Sequence, residues 1–240
     1  MTFNSSPAPR PAVRFLAGAL VALACGAAGA AIVTTPAGVV TGTPTPGYSD
    51  PFTLDVWQRV NVRTGSTIGI TDDYPNLTQA SGLLTSSDGG GKADWQYIRS
   101  TPLGRLGDFT SATYQWYRDG DSSSVAGHLH PVLRLILDID GDLQTPNDIA
   151  YLVFERAYQG GGTVDVPTDA WVTENISSGT IMWVSQPGVA PSSIEEVYNR
   201  PLSAYMDGSY TPTGNFSQIT GNSLVLGVQS GIGSGWNGTF

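Results

Sequence analysis

The segment from His128 to Glu155 constrains the fold of this chain more than any other, because two strand patterns flank an acidic loop. Apolar residues occupy odd positions from Leu129 to Ile139, and polar residues occupy most of the even ones. This period of two is typical of a half-buried strand with one face in the core. A second strand pattern follows at Ile149–Phe154, so the segment predicts a β-hairpin.

Further segments rich in Val, Ile, Thr, Trp and Tyr recur along the chain, separated by turn sequences such as RDGD and YQGGG. Short strands at this spacing favour an all-β sandwich or barrel. The predicted strands are Phe52 to Val62, Gly82 to Thr85, Ala93 to Ile98, Phe109 to Arg118, His128 to Asp138, Ile149 to Phe154, Ala170 to Thr173, Thr180 to Val184 and Ser223 to Val228.

One segment has a helical signature instead. Ser193 is followed three residues later by Glu196, which is the spacing of a capping box, and Pro201 would stop a helix that begins there. Residues 192–200 are therefore predicted to form one short crossover helix against the sandwich.

The N-terminus has the three-part layout of a secretory signal peptide. Arg10 and Arg14 precede an uncharged run, residues 15–24, and small residues end at Ala30, where we expect cleavage. A membrane anchor and a lipid attached to Cys25 are the alternatives. The alanine-rich signal suggests a bacterial protein that is exported to the cell surface or beyond.

After cleavage, residues 31–50 read as a Thr/Pro/Gly-rich linker and residues 51–240 as one β-sandwich domain. Removing residues 1–30 takes away two arginines and Cys25, so the net charge changes from −9 to −11 and no cysteine remains. Nucleic acid and anionic membranes are poor partners for such a chain, in which Lys92 is the only lysine.

The hairpin loop carries five oxygen-bearing side chains of the type that calcium prefers: Asp138, Asp140, Asp142, Asn147 and Asp148. It is not an EF-hand, because Leu143 stands where that loop needs glycine and Ile149 where it needs a bidentate glutamate. We predict a calcium site of another kind. The alternative is a solvated acidic turn that caps its own backbone.

His128 and His130 share one face of their predicted strand, which would let two imidazoles reach one transition metal, as in cupin barrels. Such a site also needs a nearby glutamate, whereas this strand continues with Arg134, and a cation opposes metal binding. We interpret both histidines as polar positions at a strand start beside Pro131.

Glycoside hydrolysis needs two carboxyl groups that face each other across the bond. After residue 30 the chain has four glutamates, and Glu195 and Glu196 are sequence neighbours that cannot face each other. Glu155 and Glu174 lie on separate predicted strands and form the one glutamate pair that could converge. An aspartate could replace either, so the sequence disfavours catalysis without excluding it.

Aromatic rings can hold sugars by stacking, and this chain offers several. Alternation places Tyr114 and Trp116 on one side of their strand and Tyr117 on the other. We expect most rings in the core and some on a face or in a cleft. The candidates are Trp57, Trp95, Trp116, Tyr117, Trp171, Trp183 and Trp236.

Five strings occur in a familiar order: STPLGRLGDFTSATYQWYRDGDSSS, HPVLRLILDIDGD, IAYLVFERAY, TDAWVTENI and LVLGVQSGIGSGWNGTF. Together they resemble a largely uncharacterised group of secreted bacterial β-sandwich proteins of concanavalin-like or jelly-roll type, many of which carry a C-terminal PEP-CTERM sorting tail. The resemblance runs from Trp95 to Phe240 and implies a surface-associated or extracellular protein, with no catalytic residues to carry over. Such proteins continue into a final strand, so we expect a truncation at Phe240 that leaves an edge strand unpaired.

The leading interpretation is a secreted, non-catalytic β-sandwich that binds carbohydrate or a cell-surface polymer and is stabilised by calcium. Two alternatives stay open: a glycan-degrading hydrolase that uses Glu155 and Glu174, and a structural envelope or matrix protein without a ligand. No membrane span is expected after signal cleavage, and the sequence does not indicate an oligomeric state.

Overall fold

Strands dominate the structure, a computed structural model that describes residues 22–25, 54–76, 79–87, 89–122, 126–142, 148–160 and 164–240. The strands are β1 Ala22–Cys25, β2 Trp57–Val60, β3 Ser66–Asn76, β4 Gln79–Ser86, β5 Ala93–Ile98, β6 Gly104–Arg105, β7 Phe109–Trp116, β8 Val132–Asp138, β9 Ile149–Phe154, β10 Val172–Ile176, β11 Ile181–Ser185, β12 Ile194–Pro201, β13 Leu224–Ile232 and β14 Gly238–Thr239. One short helix, α1, spans Leu202–Met206. The fold is all-β and sandwich-like, as predicted.

The predicted hairpin is the centre of the largest sheet, which has eight strands in the order β12-β11-β9-β8-β13-β5-β2, with β6 also paired to β13. β8 pairs antiparallel with β9, from Leu133 opposite Phe154 to Asp138 opposite Ile149. The predicted core face is confirmed, because the leucines at 133, 135 and 137 are fully buried.

The prediction that this strand is half-buried was wrong. Val132 and Ile136, on the opposite face of β8, are no more than 2 % exposed. The physical reason is position: β8 lies between β9 and β13 in the middle of the large sheet, and both of its faces are covered.

Two three-stranded sheets accompany the large sheet in the described residues. The β7 sheet, in the order β1-β7-β10, packs on the core face of β8, and its Tyr114, Trp116 and Ile176 belong to the same buried cluster as Leu135. The β4 sheet, in the order β14-β4-β3, lies beside β5. The small sheets meet where the Asn76 side chain donates to that of Gln115.

Register divides the large sheet into two adjacent cross-strand rows. The apolar row belongs to or packs against the core cluster and consists of Trp57, Tyr97, Val228, Leu135, Leu152 and Val184. One residue away on each strand lies the polar row, consisting of Gln58, Gln96, Gln229 and Arg134 and continuing into Val153 and Trp183. Because side chains alternate along a strand, the polar row faces away from the β7 sheet.

The helix predicted at residues 192–200 is wrong in its place, because residues 194–200 belong to strand β12. Glu195 explains the difference: its carboxylate is buried and accepts hydrogen bonds from the Tyr210 hydroxyl at 2.7 Å and the Thr213 backbone N–H at 2.7 Å. These distant partners hold the segment extended. Pro201 is the last residue of β12 and the N-cap of helix α1, so it precedes a helix instead of ending one.

The predicted signal peptide, residues 1–30, and the linker, residues 31–50, lie outside the described residues, apart from Ala22–Cys25. That short strand pairs antiparallel with β7. Strand β3 was not predicted, since its sequence contains two adjacent aspartates and Pro75. It lies at the edge of the β4 sheet, where charged residues and proline are tolerated.

Candidate functional site

The acidic loop brings three of its predicted ligands together. Asp138, Asp140 and Asp148 each offer a carboxylate oxygen within 4.8 Å of the others. Asp142 is exposed and is not part of this group, and Asn147 lies outside the described residues. Calcium takes roughly six to eight oxygen ligands, so the three carboxylates would supply about half of a coordination shell.

Backbone groups of the same loop already use one oxygen of each carboxylate. Gly141 N–H donates to Asp138 at 2.8 Å, Asp142 N–H donates to Asp140 at 2.8 Å, and Asp140 N–H donates to Asp148 at 3.0 Å. These bonds are those of a self-capped acidic turn. Burial and the nearby Asp148 raise the pKa of Asp138. A cation bound here would stabilise the charged carboxylate and so oppose this shift.

His130 has a structural role. Its ring stacks on Trp116 with 4.7 Å between centroids, Nδ1 bonds the Pro131 carbonyl at 2.9 Å, and Nε2 accepts the Arg156 N–H at 3.0 Å. Burial lowers the pKa of this imidazole to about 4, so it stays neutral. Both ring nitrogens are engaged, which supports the interpretation of His130 as a polar position near a strand start. His128 is half-buried.

Glu155 directly follows β9, where the backbone is still extended. Because Phe154 points into the core cluster, the next side chain lies on the face of the polar row, together with Val153. Burial raises the pKa of the Glu155 carboxyl to about 7, against the opposing effect of the Arg134 charge.

Glu174 has different surroundings. Its carboxylate accepts hydrogen bonds from Trp116 Nε1 at 3.2 Å and from Arg156 Nη1 at 2.7 Å. Its strand neighbours Val172 and Ile176 pack against the core cluster on the other face of the large sheet. The fold therefore gives Glu155 and Glu174 different faces and different partners.

The aromatic side chains divide into core and surface groups. Of the seven candidates, Trp116 belongs to the core cluster of Leu135, and Trp236 belongs to a second core cluster that includes Val132 and Ile136. Trp57 is half-buried against the first cluster, and Trp95 and Trp183 are half-buried against the second. Tyr117 and Trp171 belong to neither cluster. Tyr114 is buried and Tyr117 half-buried, so the predicted alternation along β7 is confirmed.

Tyr117 and Trp171 join Tyr74 in a surface group that we call the aromatic strip. The ring centroids of Tyr74 and Tyr117 are 5.0 Å apart, and those of Tyr117 and Trp171 are 5.7 Å apart. All three rings are half-buried. They come from the end of β3, the end of β7 and the start of β10, where the two small sheets meet.

The polar ends of the strip are held by the surrounding loops. The Tyr74 hydroxyl donates to Asp119, which raises the pKa of Tyr74 to about 12 and keeps it protonated. Trp171 Nε1 donates to the Pro75 carbonyl at 3.1 Å. Asp119 also accepts the Asp121 N–H at 2.8 Å, so the RDGD sequence at residues 118–121 forms a turn, as predicted.

An exposed carboxylate borders the middle ring. Asp169 lies 3.4 Å from the Tyr117 hydroxyl and accepts the Gly120 N–H at 2.8 Å. Its backbone is in the left-handed region, with φ of 57°, a conformation that aspartate adopts more readily than most residues. The strip therefore combines flat apolar rings with fixed acceptors at its edge.

No family model, no curated protein and no solved structure matches this chain. The resemblance to secreted β-sandwich proteins thus stays a prediction, and function has to be inferred from the residues themselves. In the part of the chain that the structure describes, no helix is long and apolar enough to cross a membrane.

Sequence reasoning identified the acidic group but missed the strip. Tyr74 lies in a segment that showed no strand pattern, and no sequence pattern indicated that Asp169 lies beside the strip. The one available signal was the position of Tyr117 on the outward side of β7, next to the inward Trp116.

Proposed function

We propose that this protein is an extracellular, non-catalytic β-sandwich that binds carbohydrate or a cell-surface polymer through the aromatic strip. The observation that carries the proposal is the row of three adjacent rings outside the core, Tyr74, Tyr117 and Trp171. Rings that do not contribute to a core present large, rigid, amphipathic surfaces for recognition.

The chemistry of the strip suits a sugar. The C–H face of a pyranose ring can lie on an aromatic face, while its hydroxyls bond polar groups at the edge of the site. The Gln115 side chain, which donates to Thr173 Oγ1 at 2.9 Å, lies exposed beside the rings. Because hydrogen bonds hold Tyr74 and Trp171 in place, little ordering accompanies binding.

Charge selects among saccharides. The net charge is −9, and the carboxylates of Asp119 and Asp169 border the strip. Like charges repel at a binding surface, so uronic-acid polymers and sulfated glycans are disfavoured. We therefore infer that the preferred ligand is a neutral polysaccharide.

The strip can be tested by affinity electrophoresis of the full chain through gels that contain xylan, glucomannan or laminarin, with alginate as the anionic comparison. Trp171→Ala should weaken retention by about tenfold, the effect of losing one aromatic stacking contact. Val164→Ala, which shortens an exposed apolar side chain elsewhere, is the control. Equal retention of both variants by every neutral polymer would contradict the proposal.

We also propose that calcium binds the acidic loop and stabilises the fold. The proximity of the carboxylates of Asp138, Asp140 and Asp148 supports this part, as does the raised pKa of Asp138. An ion that binds only the folded state raises the Tm in proportion to its saturation.

Calcium binding can be tested by melting the wild type and Asp140→Ala in calcium and in EDTA. Calcium should raise the Tm of the wild type. The difference in Tm between the wild type and Asp140→Ala should be larger in calcium than in EDTA. Asp121→Ala, in the other acidic turn, is the matched control. An identical wild-type Tm in both buffers would identify the loop as a self-capped turn.

The hydrolase alternative retains one supporting observation, which is that the Glu155 pKa of about 7 suits a general acid. It needs a second carboxyl group facing Glu155, and Glu174 is held by Arg156 on the other face of the large sheet. Release of reducing sugar from xylan by the wild type, abolished in Glu155→Gln, would favour the hydrolase. Neither binding nor turnover would favour a structural envelope or matrix protein.

A further inference from the structure

We propose that the molecule has a second saccharide-binding surface on the opposite side of the sandwich, formed by Tyr158, Trp183, Tyr198 and the carboxyl group of Glu155. We call these residues the Tyr198 cluster. This inference rests on the proposed function and extends it, because two separate surfaces would let one molecule join two polysaccharide chains.

The rings of the cluster form a compact group on three elements. Tyr158 and Tyr198 stack with 4.5 Å between ring centroids and 14° between planes, and Trp183 meets Tyr198 edge-on at 6.0 Å and 71°. All three are half-buried, and neither tyrosine belongs to a core cluster. The stacked pair therefore offers aromatic area that the core does not use.

A side-chain clamp fixes the turn that carries Tyr158. Gln159 pairs with Ile181 of β11 like a strand residue: its Nε2 donates to the Ile181 carbonyl at 2.9 Å, and its Oε1 accepts the Ile181 N–H at 3.0 Å. The same Nε2 reaches the Glu155 carbonyl at 3.0 Å. Because two elements of the fold hold the rings, the surface is preorganised for binding.

Two polar groups of the cluster have no partner among the described residues. Trp183 Nε1 is buried without a hydrogen bond, and no described side chain or N–H bonds the Glu155 carboxyl group. The Glu155 oxygens are not among the buried unbonded atoms, so a ligand hydroxyl can reach them, whereas a buried N–H such as that of Trp183 is nearly always bonded. The two groups together favour a ligand that both accepts and donates. Neighbouring hydroxyls of a sugar ring do both.

The neighbouring charges disfavour an anion here as well. Arg156, the exposed cation next to Glu155 in the sequence, is paired with Glu174 at 2.7 Å. Burial, and after it the nearby Glu196 carboxylate, raises the pKa of Tyr198. An aromatic surface bordered by acidic side chains fits a neutral saccharide, the class that we inferred for the strip.

The two surfaces lie on opposite sides of the sandwich. Met182 and Val184 point into the core cluster, so Trp183 between them points away from the β7 sheet. Trp116 points into the same cluster, so Tyr117 lies on the outward side of the β7 sheet. One polysaccharide chain on each side would be held by separate groups.

The two surfaces can be observed separately by fluorine NMR of the full chain labelled with 5-fluorotryptophan. Trp171→Phe and Trp183→Phe assign the two resonances, and xylohexaose, cellohexaose and laminarihexaose are the probes. We expect both resonances to shift with the same probe. A shift of Trp171 alone would overturn the second surface and retain the strip, a shift of Trp183 alone would overturn the strip, and no shift of either would contradict both.

A conservative substitution tests the role of the indole N–H. Trp183→Phe keeps a ring but removes the donor, and we expect about tenfold weaker binding at the second surface. Trp95→Phe is a matched control, because Trp95 is also half-buried with an unbonded Nε1 but lies on β5, four strands from β11 in the large sheet. Equal affinities of the two variants at this surface would overturn the assignment of Trp183.

Cross-linking tests whether the surfaces act independently. Wild-type protein mixed with soluble xylan should produce turbidity at intermediate protein-to-polymer ratios. Tyr117→Ala and Tyr198→Ala should each abolish the turbidity while retaining binding to xylan in gel electrophoresis. Loss of all binding in one single variant would show that only one surface binds.

Discussion

The apolar and polar rows of the large sheet occupy the same strands, one residue apart, yet they serve opposite purposes. The apolar row, which includes Leu135 and Val228, is covered by the β7 sheet and forms the main core. The polar row, which includes Arg134 and Gln229, bonds mainly within itself. A single sheet can therefore support an apolar core on one face and, on the other, a buried polar network beside a second apolar cluster, because neighbouring residues point to opposite sides.

The polar row is a connected network around one buried carboxylate. Asp94 accepts from Arg134 Nη1 at 2.6 Å and from Asn61 Nδ2 at 2.8 Å. Arg134 also donates to Gln229 at 3.0 Å, and Gln229 donates to Gln96 at 3.1 Å. Such a network gives geometric specificity, but it also depends on every member being present.

The largest effect is expected from a cavity in the apolar row. Leu135→Ala should lower the free energy of unfolding by about 4 kcal/mol, because a fully buried leucine loses its contacts and leaves a void. Urea denaturation measures this loss, and Leu135→Met, which keeps the volume, should cost about 1 kcal/mol. Similar losses in both variants would mean that the row is loosely packed.

A somewhat smaller loss is expected when the polar row loses its anion. Asp94→Ala leaves Arg134 without its carboxylate partner and should cost about 3 kcal/mol in the same assay. The double replacement Asp94→Leu with Arg134→Leu should restore most of that stability, because neither charge is then stranded. A double variant as unstable as Asp94→Ala alone would show that the network stabilises by more than charge compensation.

Local patterns predicted those elements whose partners are near in the sequence. Strands β5 and β9 have the predicted bounds, and the hairpin of β8 and β9 could be identified because alternation and a turn occur within one segment. Three of the five predicted loop ligands, Asp138, Asp140 and Asp148, lie close together for the same reason, since one loop contains all of them.

Features that depend on distant residues could not be predicted. The capping-box signal at Ser193 is local, whereas the bonds from Glu195 to Tyr210 and Thr213 that hold β12 extended appear only in the fold. The aromatic strip likewise combines side chains that are more than forty residues apart along the chain, with none of the spacing that a sequence pattern can reveal.

The two faces also carry titratable groups with opposite effects on stability. On the polar-row face, Glu155 keeps its proton up to about pH 7 in the folded state but loses it near pH 4.5 when unfolded. Its stabilising contribution is complete below pH 4.5 and is lost as the pH rises through about 7. On the core face, His130 is neutral down to about pH 4 when folded, but near pH 6.5 it protonates when unfolded. That contribution is present above pH 6.5 and is lost as the pH falls through about 4.

Between pH 4.5 and 6.5 these contributions oppose each other. The free energy of unfolding of the wild type should therefore change little with pH in this range, which is the smallest effect that we expect. In Glu155→Gln the contribution of His130 is unopposed, and the free energy of unfolding should rise with pH by about 1 kcal/mol per unit more than in the wild type. In His130→Gln the contribution of Glu155 is unopposed, and the free energy of unfolding should fall as the pH rises. Urea midpoints at half-unit pH steps measure the slopes, with Glu196→Gln, an exposed glutamate, as the control. A Glu155→Gln slope equal to that of the control would mean that Glu155 is ionised on its face of the sheet, and the polar row would then hold a second buried anion beside Asp94.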